Sequence, residues 1–578
     1  RKVELEPPRQ RGDTIHTDFG TRGTVFGRVV VTPDSTDLEL ILKTPDGVVD
    51  SDVLMDRLGR VQAVGDEAQQ EVLKGASAER RFHSLKRYLE TRSRRSCRGA
   101  GDRGSFDHDV QAVAGTVSTI LEQYETIEGN FGQHSSVIVP TPDGFGAQIS
   151  ESIRRGVATG LRGLTGVEMP RRVETVGEAA AAAYAVRGTG FEGVRLYRDA
   201  SHRKEFHECQ LIGLEDGGPI PEARVEEEVI LCLDFGAGTT DFALVEFPAS
   251  ERARILHQGS LMLGGVDVDR ALRSAVLVDS ADDLVESGRV EEWELDKLAT
   301  IIRELKEEGE LDKEQGGAHI NGKLLRRLAQ DTFGEEASQL FREPEAAEAA
   351  FQRRLRLARA LISARLDLIA DDQWEAITKV ALVGRGSQFE PFREAVRDYV
   401  TDRRTGSEAQ ELVTFRTGRA LKAAVLAGSA LMNLEFGDGA VGDEHRRTSG
   451  KLVVRDRNGE VLVSPLPPGT VCSGKTEALF RFEVPRSQVG GDLLFVEERL
   501  VALDDELLET IKKVTIWDDG RGWLRKAGLS NPLVQGLRLS PDFERCRLVF
   551  VYDTSGWGRH RIIEEHSGLV KDRDTRPT

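Results

Sequence analysis

The stretch that most constrains this chain runs from Val229 to Phe247 and reads VILCLDFGAGTTDFALVEF. An apolar run, Val229–Leu233, ends in Asp234. A turn of Gly236, Ala237, Gly238, Thr239 and Thr240 follows, then Asp241 and a second apolar run to Phe247. The pattern predicts strand, tight turn, strand. Glycine tolerates positive φ and lets other groups approach the backbone, so a turn with two glycines can aim successive N–H groups at an anion. The threonine hydroxyls can donate to phosphate oxygens. Asp234 and Asp241 are acceptors, suited to magnesium-bound water or an attacking water. Standing alone, the stretch reads equally as an ordinary acidic hairpin.

It does not stand alone. Thr14-Ile15-His16-Thr17-Asp18-Phe19-Gly20-Thr21-Arg22-Gly23-Thr24 precedes Val25, Phe26 and the β-branched run Val29–Val31. Asp18-Phe19-Gly20 echoes Asp234-Phe235-Gly236, with glycine and threonine in both turns. A duplicated strand–turn–strand unit implies two similar lobes closing on one nucleotide from opposite sides. Arg22 would add a fixed positive charge there, or else lie solvated on the surface.

Composition narrows the partners. A chain of 578 residues holds several domains. Its net charge of −18 argues against nucleic acid or an anionic membrane as the main partner. The five cysteines are scattered without metal-ligand spacing, which suits a reducing, cytoplasmic setting. The eleven histidines are dispersed and form no metal motif; His16 and His83 read as packing or surface residues. No apolar run approaches the ~18 residues that a membrane span needs, and no signal peptide is visible.

Taken in order, residues 1–12 form a polar leader, and 13–187 a first lobe. In that lobe a basic Gly/Ser-rich loop at 91–105 precedes predicted helices at 107–128, 145–161 and 178–186. Ser136–Pro140 reads as a strand stopped by proline. The last of these helices, EAAAAAYAV, carries side chains small enough for very close packing. Residues 188–228 read as an irregular polar insertion. A second lobe spans 229–406, with helices expected at 284–312, 344–370 and 390–400. Within it Leu263-Gly264-Gly265-Val266-Asp267 is a glycine pair feeding a helix N-terminus, which would present free N–H groups to an anion. Val380–Val383 runs as a strand into another glycine turn, Gly384-Arg385-Gly386-Ser387. An alanine-rich closing helix returns to the first lobe within 407–432. An acidic linker at 433–450, a β-rich domain at 451–565 and a tail at 566–578, disordered by composition, complete the chain.

These elements, in this order, resemble the nucleotide-binding core of actin, sugar kinases and, most closely, the heat shock protein 70 (DnaK-type) chaperones. Asp18-Phe19-Gly20-Thr21 looks like that family's first phosphate loop, and Asp234 to Asp241 like its second, with Ala237 replacing one glycine. Val139-Pro140 with Gln148, Ala179-Ala180-Ala181 with Tyr184, Leu263 to Asp267, Val383 to Ser387, and Leu85-Lys86-Arg87 with Leu89 match further segments. The likeness covers about residues 13 to 432. It implies an α/β fold: a two-lobed actin-like ATPase (ribonuclease H-like) core plus the C-terminal β-rich domain. It also implies ATP or ADP with Mg2+ as ligands, and protein clients or co-chaperones as partners. Asp18 and Asp234 would hold magnesium through water. Asp234 and Asp241, with Thr239, would orient the attacking water. Gly20, Thr21, Arg22, Gly236, Gly238, Thr239, Gly264, Gly265, Lys306, Gly384, Arg385, Gly386 and Ser387 would line the nucleotide.

Several positions depart from the family pattern. Where it carries a catalytic lysine, Gly65-Asp66-Glu67-Ala68 is followed by Gln69, whose neutral amide cannot offset phosphoryl charge. Its EPT glutamate falls at Val176, its arginine after Gln148 at Ile149, and its ExxK segment is only partly met by Arg303 and Lys306. The linker is acidic and poor in leucine, and no long helical pattern ends the chain. Two readings follow: a chaperone-like ATPase, slow and coupled to the C-terminal domain, or a nucleotide-sensing scaffold with little or no hydrolysis. A small-molecule kinase of the same superfold lacks a convincing acceptor-binding segment. A filament former would be hindered by the extra domain.

Overall fold

The computed structural model describes residues 14–20, 23–31, 36–40, 48–55, 60–73, 80–82, 103–124, 136–142, 147–163, 172–187, 194–197, 211–214, 227–249, 252–261, 263–307, 320–333, 339–366, 371–403, 411–415 and 418–436, single positions 85, 89 and 369, and ten short strands beyond residue 445. The leader at 1–12, Thr21, Arg22, the loop at 91–102, most of the linker and the last residues lie outside the described residues, as do Lys86 and Arg87.

The chain is mixed α/β. Its first large sheet is built on β1 (Thr14–Phe19), β2 (Gly23–Val31), β3 (Thr36–Leu40), β8 (Ser136–Thr141), β9 (Arg172–Gly177) and β10 (Val194–Tyr197), in the order β10-β3-β2-β1-β8-β9. The short β4 (Val48–Asp50) pairs with β2. A small sheet joins β5 (Val53–Met55) to β6 (Val61–Val64) and β7 (Arg80–Phe82). The second large sheet contains β11 (Leu211–Gly213), β12 (Glu228–Phe235), β13 (Thr240–Phe247), β14 (Arg254–Leu261), β15 (Lys379–Val383) and β16 (Glu411–Phe415), ordered β11-β16-β15-β12-β13-β14.

The two sheets repeat one plan. In each, three antiparallel strands form a meander, β1-β2-β3 or β12-β13-β14, and two strands parallel to the first are added on its other side, β8-β9 or β15-β16. Strand β12 is almost continuously apolar because helices cover both its faces. Leu231, Leu233 and Phe235 point into a core shared with the helices Gly265–Val276, Pro344–Leu366 and Glu390–Arg403. Ile230 and Cys232 point the other way, into a core shared with the helices Glu178–Val186 and Gly418–Phe436. Val25, Ile138 and Val176 of the first sheet belong to that same core. The far face of the first sheet packs on the helices Arg103–Tyr124 and Ala147–Gly163.

Small side chains bring the two shared helices together, as the alanine-rich sequence predicts. A Cβ at Gly428 would lie 1.6 Å from the Ala181 carbonyl oxygen.

Four expectations are corrected. The insertion at 188–228 supplies two edge strands: β10 pairs with β3, and β11 with β16. The span expected as a helix at 284–312 is two helices, Ala281–Glu286 and Glu292–Glu307, separated at Gly288, which has φ +66°. Pro140 does not stop its strand. Strand β8 continues to Thr141 against β9, and Pro140 lies beyond Ile138, the last residue of β8 paired with β1. The closing helix is preceded by β16, a strand whose short apolar run was not recognised.

Beyond residue 445 the described strands include two four-stranded antiparallel sheets, one centred on Lys451–Arg455 and Asp492–Glu498, the other on Arg545–Asp553 and Arg561–His566. Among the described residues no helix is long and apolar enough to cross a membrane.

Candidate functional site

Asp18 and Asp234 occupy the same place in the two sheets. Each lies one residue before the end of the first meander strand, and that strand has a parallel neighbour, β8 or β15. In open α/β sheets ligands gather outside the carboxyl ends of such strands. Both aspartates are buried, at 3% and 6% exposure.

The turn after Asp234 folds on itself: the Gly236 N–H donates to the Asp234 carbonyl at 3.2 Å and to the Thr239 carbonyl at 2.8 Å. Among the described residues the N–H groups of Ala237, Gly238 and Thr239 make no backbone hydrogen bond. Three successive donors with no backbone acceptor form the kind of concavity that holds an anion. Asp234 stands directly opposite Asp241 in the ladder, so the two side chains share one face. Like charges so placed repel unless something offsets them. The Thr239 hydroxyl donates to Asp241 at 2.7 Å, and the Thr240 hydroxyl to the Leu263 carbonyl at 2.7 Å. Burial, and after it the negative charge of Asp234, raises the Cys232 thiol well above its usual range, so it stays protonated.

The glycine pair has a different task from the one its sequence suggested. The Gly265 N–H donates to the Gly236 carbonyl at 3.1 Å, and the Val266 N–H to the Ala237 carbonyl at 2.7 Å. The Gly264 N–H donates to the Asp267 carboxylate at 2.9 Å. The helix N-terminus therefore spends these donors on docking the turn and on its own cap, and it does not present them to an anion. A Cβ at Gly264 would stand 2.5 Å from the Ala237 carbonyl carbon, which is why that position carries no side chain. Lys306 is brought to the same place, where it donates to the Gly265 carbonyl at 2.8 Å and pairs with Asp269.

From the other side comes the turn after β15. Gly384 has φ +75°, and a Cβ there would meet Asp234 Oδ1. Gly386 packs on the Phe235 carbonyl. Ser387 is fully buried, and its hydroxyl donates to the Gly384 carbonyl at 2.7 Å, so it braces the loop. Arg385 is exposed.

The first hairpin is braced by Ser51, which lies in no motif, and Asp52 beside it draws in Gln69 and Arg303. The Ser51 hydroxyl donates to the Gly20 carbonyl at 2.7 Å and lies 2.9 Å from the Thr24 hydroxyl. Beside it, buried Asp52 receives Arg303 at 3.1 Å and the Gln69 amide at 2.9 Å. Gln69 also donates to Asp50 at 3.0 Å. The only sequence signal was the acidic alternation Asp50-Ser51-Asp52, since Arg303 is distant in the chain. The Asp52–Arg303 pair ties the first hairpin's support to the helix Glu292–Glu307, one turn from Lys306.

Thus Asp234, Asp241, Thr239, Gly236, Gly238, Gly264, Gly265, Lys306, Gly384, Gly386 and Ser387 form one contiguous assembly. Asp18 and Gly20 sit at the matching place on the first sheet. Among the described residues no group of three or more His, Cys, Asp or Glu side chains could cage a metal ion. Buried carboxylates at the matching strand ends, Asp18 and Asp234, with few further protein ligands would suit a hard cation held through its own waters, as magnesium is held. No protein-family model matches the chain, and no curated protein matches it.

Proposed function

We propose that this chain is a divergent heat shock protein 70-like, ATP-binding protein. Its two large sheets are the lobes of an actin-like (ribonuclease H-like) core, and its C-terminal strands form a β-rich protein-interaction domain. The observation that carries the reading is the repeated sheet plan, with a Asp-Phe-Gly hairpin at the same place in each copy. Two such hairpins are what a clamp around one polyphosphate requires.

In this reading the Ala237, Gly238 and Thr239 N–H groups donate to phosphate oxygens. Asp241, fixed by the Thr239 hydroxyl, orients the attacking water and accepts its proton. Asp18 and Asp234 are the residues that hold magnesium through its waters. When bound, the ion neutralises phosphate charge during transfer. Gly384 and Ser387 shape the adenosine side, with Lys306. Lobe closure on ATP then alters the hold of the C-terminal domain on a protein client or co-chaperone, in the cytoplasm.

A specific observation favours the second reading, a nucleotide-sensing scaffold. Gln69, standing where the family has its lysine, is neutral and bonded to two carboxylates, so hydrolysis lacks one expected cation. Calorimetry of ATP and ADP binding with magnesium tests both readings. Micromolar binding that weakens in Asp18→Asn is expected, and no binding of either nucleotide overturns them together. Single-turnover hydrolysis separates them: turnover that is lost in Asp241→Asn removes the scaffold.

A further inference from the structure

His16 and Asp18 share one face of β1, since strand residues two apart point the same way. Asp18 lies opposite Val25, and His16 beside Ile138. Val25 and Ile138 belong to the core that includes the helix Gly418–Phe436. From that helix Ser429 meets the imidazole: His16 Nδ1 lies 2.8 Å from the Ser429 hydroxyl oxygen, and both residues are fully buried.

The hydrogen-bond directions can be read out. The Ser429 hydroxyl proton goes to the Leu426 carbonyl at 2.7 Å, so its oxygen accepts from the Nδ1–H of His16. Nε2 is then a bare acceptor, buried and without a hydrogen-bond partner among the described residues. An orphaned acceptor is a smaller burden than an orphaned N–H, so the two observations agree on the tautomer. Packing alone does not account for histidine here. Valine or isoleucine would fill a strand core without stranding a polar atom.

The same helix also packs against the turn Arg385–Gln388. That turn follows Gly384, which lies on the Asp234 carboxylate. One rigid element thus registers both aspartates, Asp234 through the Gly384 loop and Asp18 through His16.

We propose that His16 and Ser429 are a positioning pair whose hydrogen bond sets the separation of Asp18 from Asp234, and so the size of the magnesium site. The proposal rests on the nucleotide reading above. Neither residue touches ligand.

The experiment titrates magnesium against a fixed ATP concentration by calorimetry, and repeats ATP binding in EDTA, for the full chain and for Ser429→Ala, Ser429→Thr and His16→Gln. In Ser429→Ala the magnesium needed for half-maximal ATP binding should rise about tenfold, the scale seen when an outer-shell partner of a metal ligand is lost. Magnesium-free ATP binding should stay within about twofold of the parent. Ser429→Thr, which keeps the hydroxyl, should return the parental requirement, and His16→Gln should shift it in the same direction as Ser429→Ala. Amide hydrogen exchange across Thr14–Phe19 without ligand should rise in Ser429→Ala but not in Ser429→Thr. An unchanged magnesium requirement in Ser429→Ala and His16→Gln overturns the pairing while leaving nucleotide binding standing. A parent chain that binds no nucleotide overturns the site reading and this inference with it.

Discussion

A Cβ placed on Gly384 would lie 2.2 Å from Oδ1 of Asp234 and 2.5 Å from the Phe235 carbonyl oxygen. The loop after β15 therefore bears directly on the carboxylate that the second hairpin presents. Gly384→Ala should cost about 1–2 kcal/mol for the left-handed backbone alone, and it should also push Asp234 out of place. ATP affinity is expected to fall at least about tenfold, the consequence of a misplaced binding group. Gly288→Ala is the matched control: its φ is +66° and a Cβ there meets nothing within 4 Å. It should show the stability loss without the affinity loss. Chemical denaturation and calorimetry on both variants check the contrast.

Asp52 joins a cation and an amide from distant parts of the chain, Arg303 at 3.1 Å and Gln69 at 2.9 Å. Arg303 and Asp52 are 8% and 3% exposed, so solvent screens them little. Arg303→Met strands a buried carboxylate and should destabilise by about 3–5 kcal/mol. Combining it with Asp52→Leu should recover most of that loss, because no unpaired charge remains buried. Urea denaturation of the two single variants and the double variant gives the coupling. Additive losses would mean that the pair contributes nothing.

The contact between Gly428 and the Ala181 carbonyl sets the spacing of the two shared helices. An alanine in a helix interior normally gains about 1 kcal/mol over glycine. Here the sign should reverse, since a Cβ 1.6 Å from a carbonyl oxygen forces the helices apart. Overpacking of this kind costs about 1–3 kcal/mol or more. Gly428→Ala should therefore lower the urea midpoint, whereas Gly428→Ala that stabilised the protein would refute the close packing.

Much of this architecture was legible in the sequence because it rests on local rules. The two Asp-Phe-Gly hairpins, the helix starting at Gly265 and the alanine-rich helix all follow from glycine placement, apolar periodicity and side-chain size. What was not legible depends on distant partners. Strands β10 and β11 are only four and three residues long, too short to show a period, and they exist because a sheet edge supplies their hydrogen bonds. Gly264 and Gly265 read as an anion cradle until Asp267 is seen to take up the Gly264 N–H, and the turn at 236–237 those of Gly265 and Val266. Gln69 read as a missing cation. Its two carboxylate partners, and Arg303 across from them, became visible only once β4, β5 and the helix Glu292–Glu307 were brought together. His16 read as a packing or surface residue, and no local pattern hints at Ser429.

Burial lowers the pKa of His16 from 6.5 to about 3, so the folded protein keeps this imidazole neutral through the physiological range. The unfolded chain takes up a proton near pH 6.5 that the folded chain refuses until about pH 3. Between these values the unfolded state binds more protons, so stability rises with pH. The contribution of His16 is complete above pH 6.5 and is lost progressively on acidification toward pH 3, with a slope of about 1.4 kcal/mol per pH unit for one proton. Carboxylates paired in the fold add their own acid dependence from about pH 5 downward. From pH 6.5 to 5 only histidines change charge to any extent, and comparison with His16→Gln isolates this one of the eleven. His16→Gln, which cannot take up a proton, should flatten the stability profile in that window while leaving the steeper loss below pH 4. Urea midpoints measured at half-unit steps from pH 7.5 to 4.5 decide it, and parallel profiles for the two proteins would show that His16 is not the group responsible.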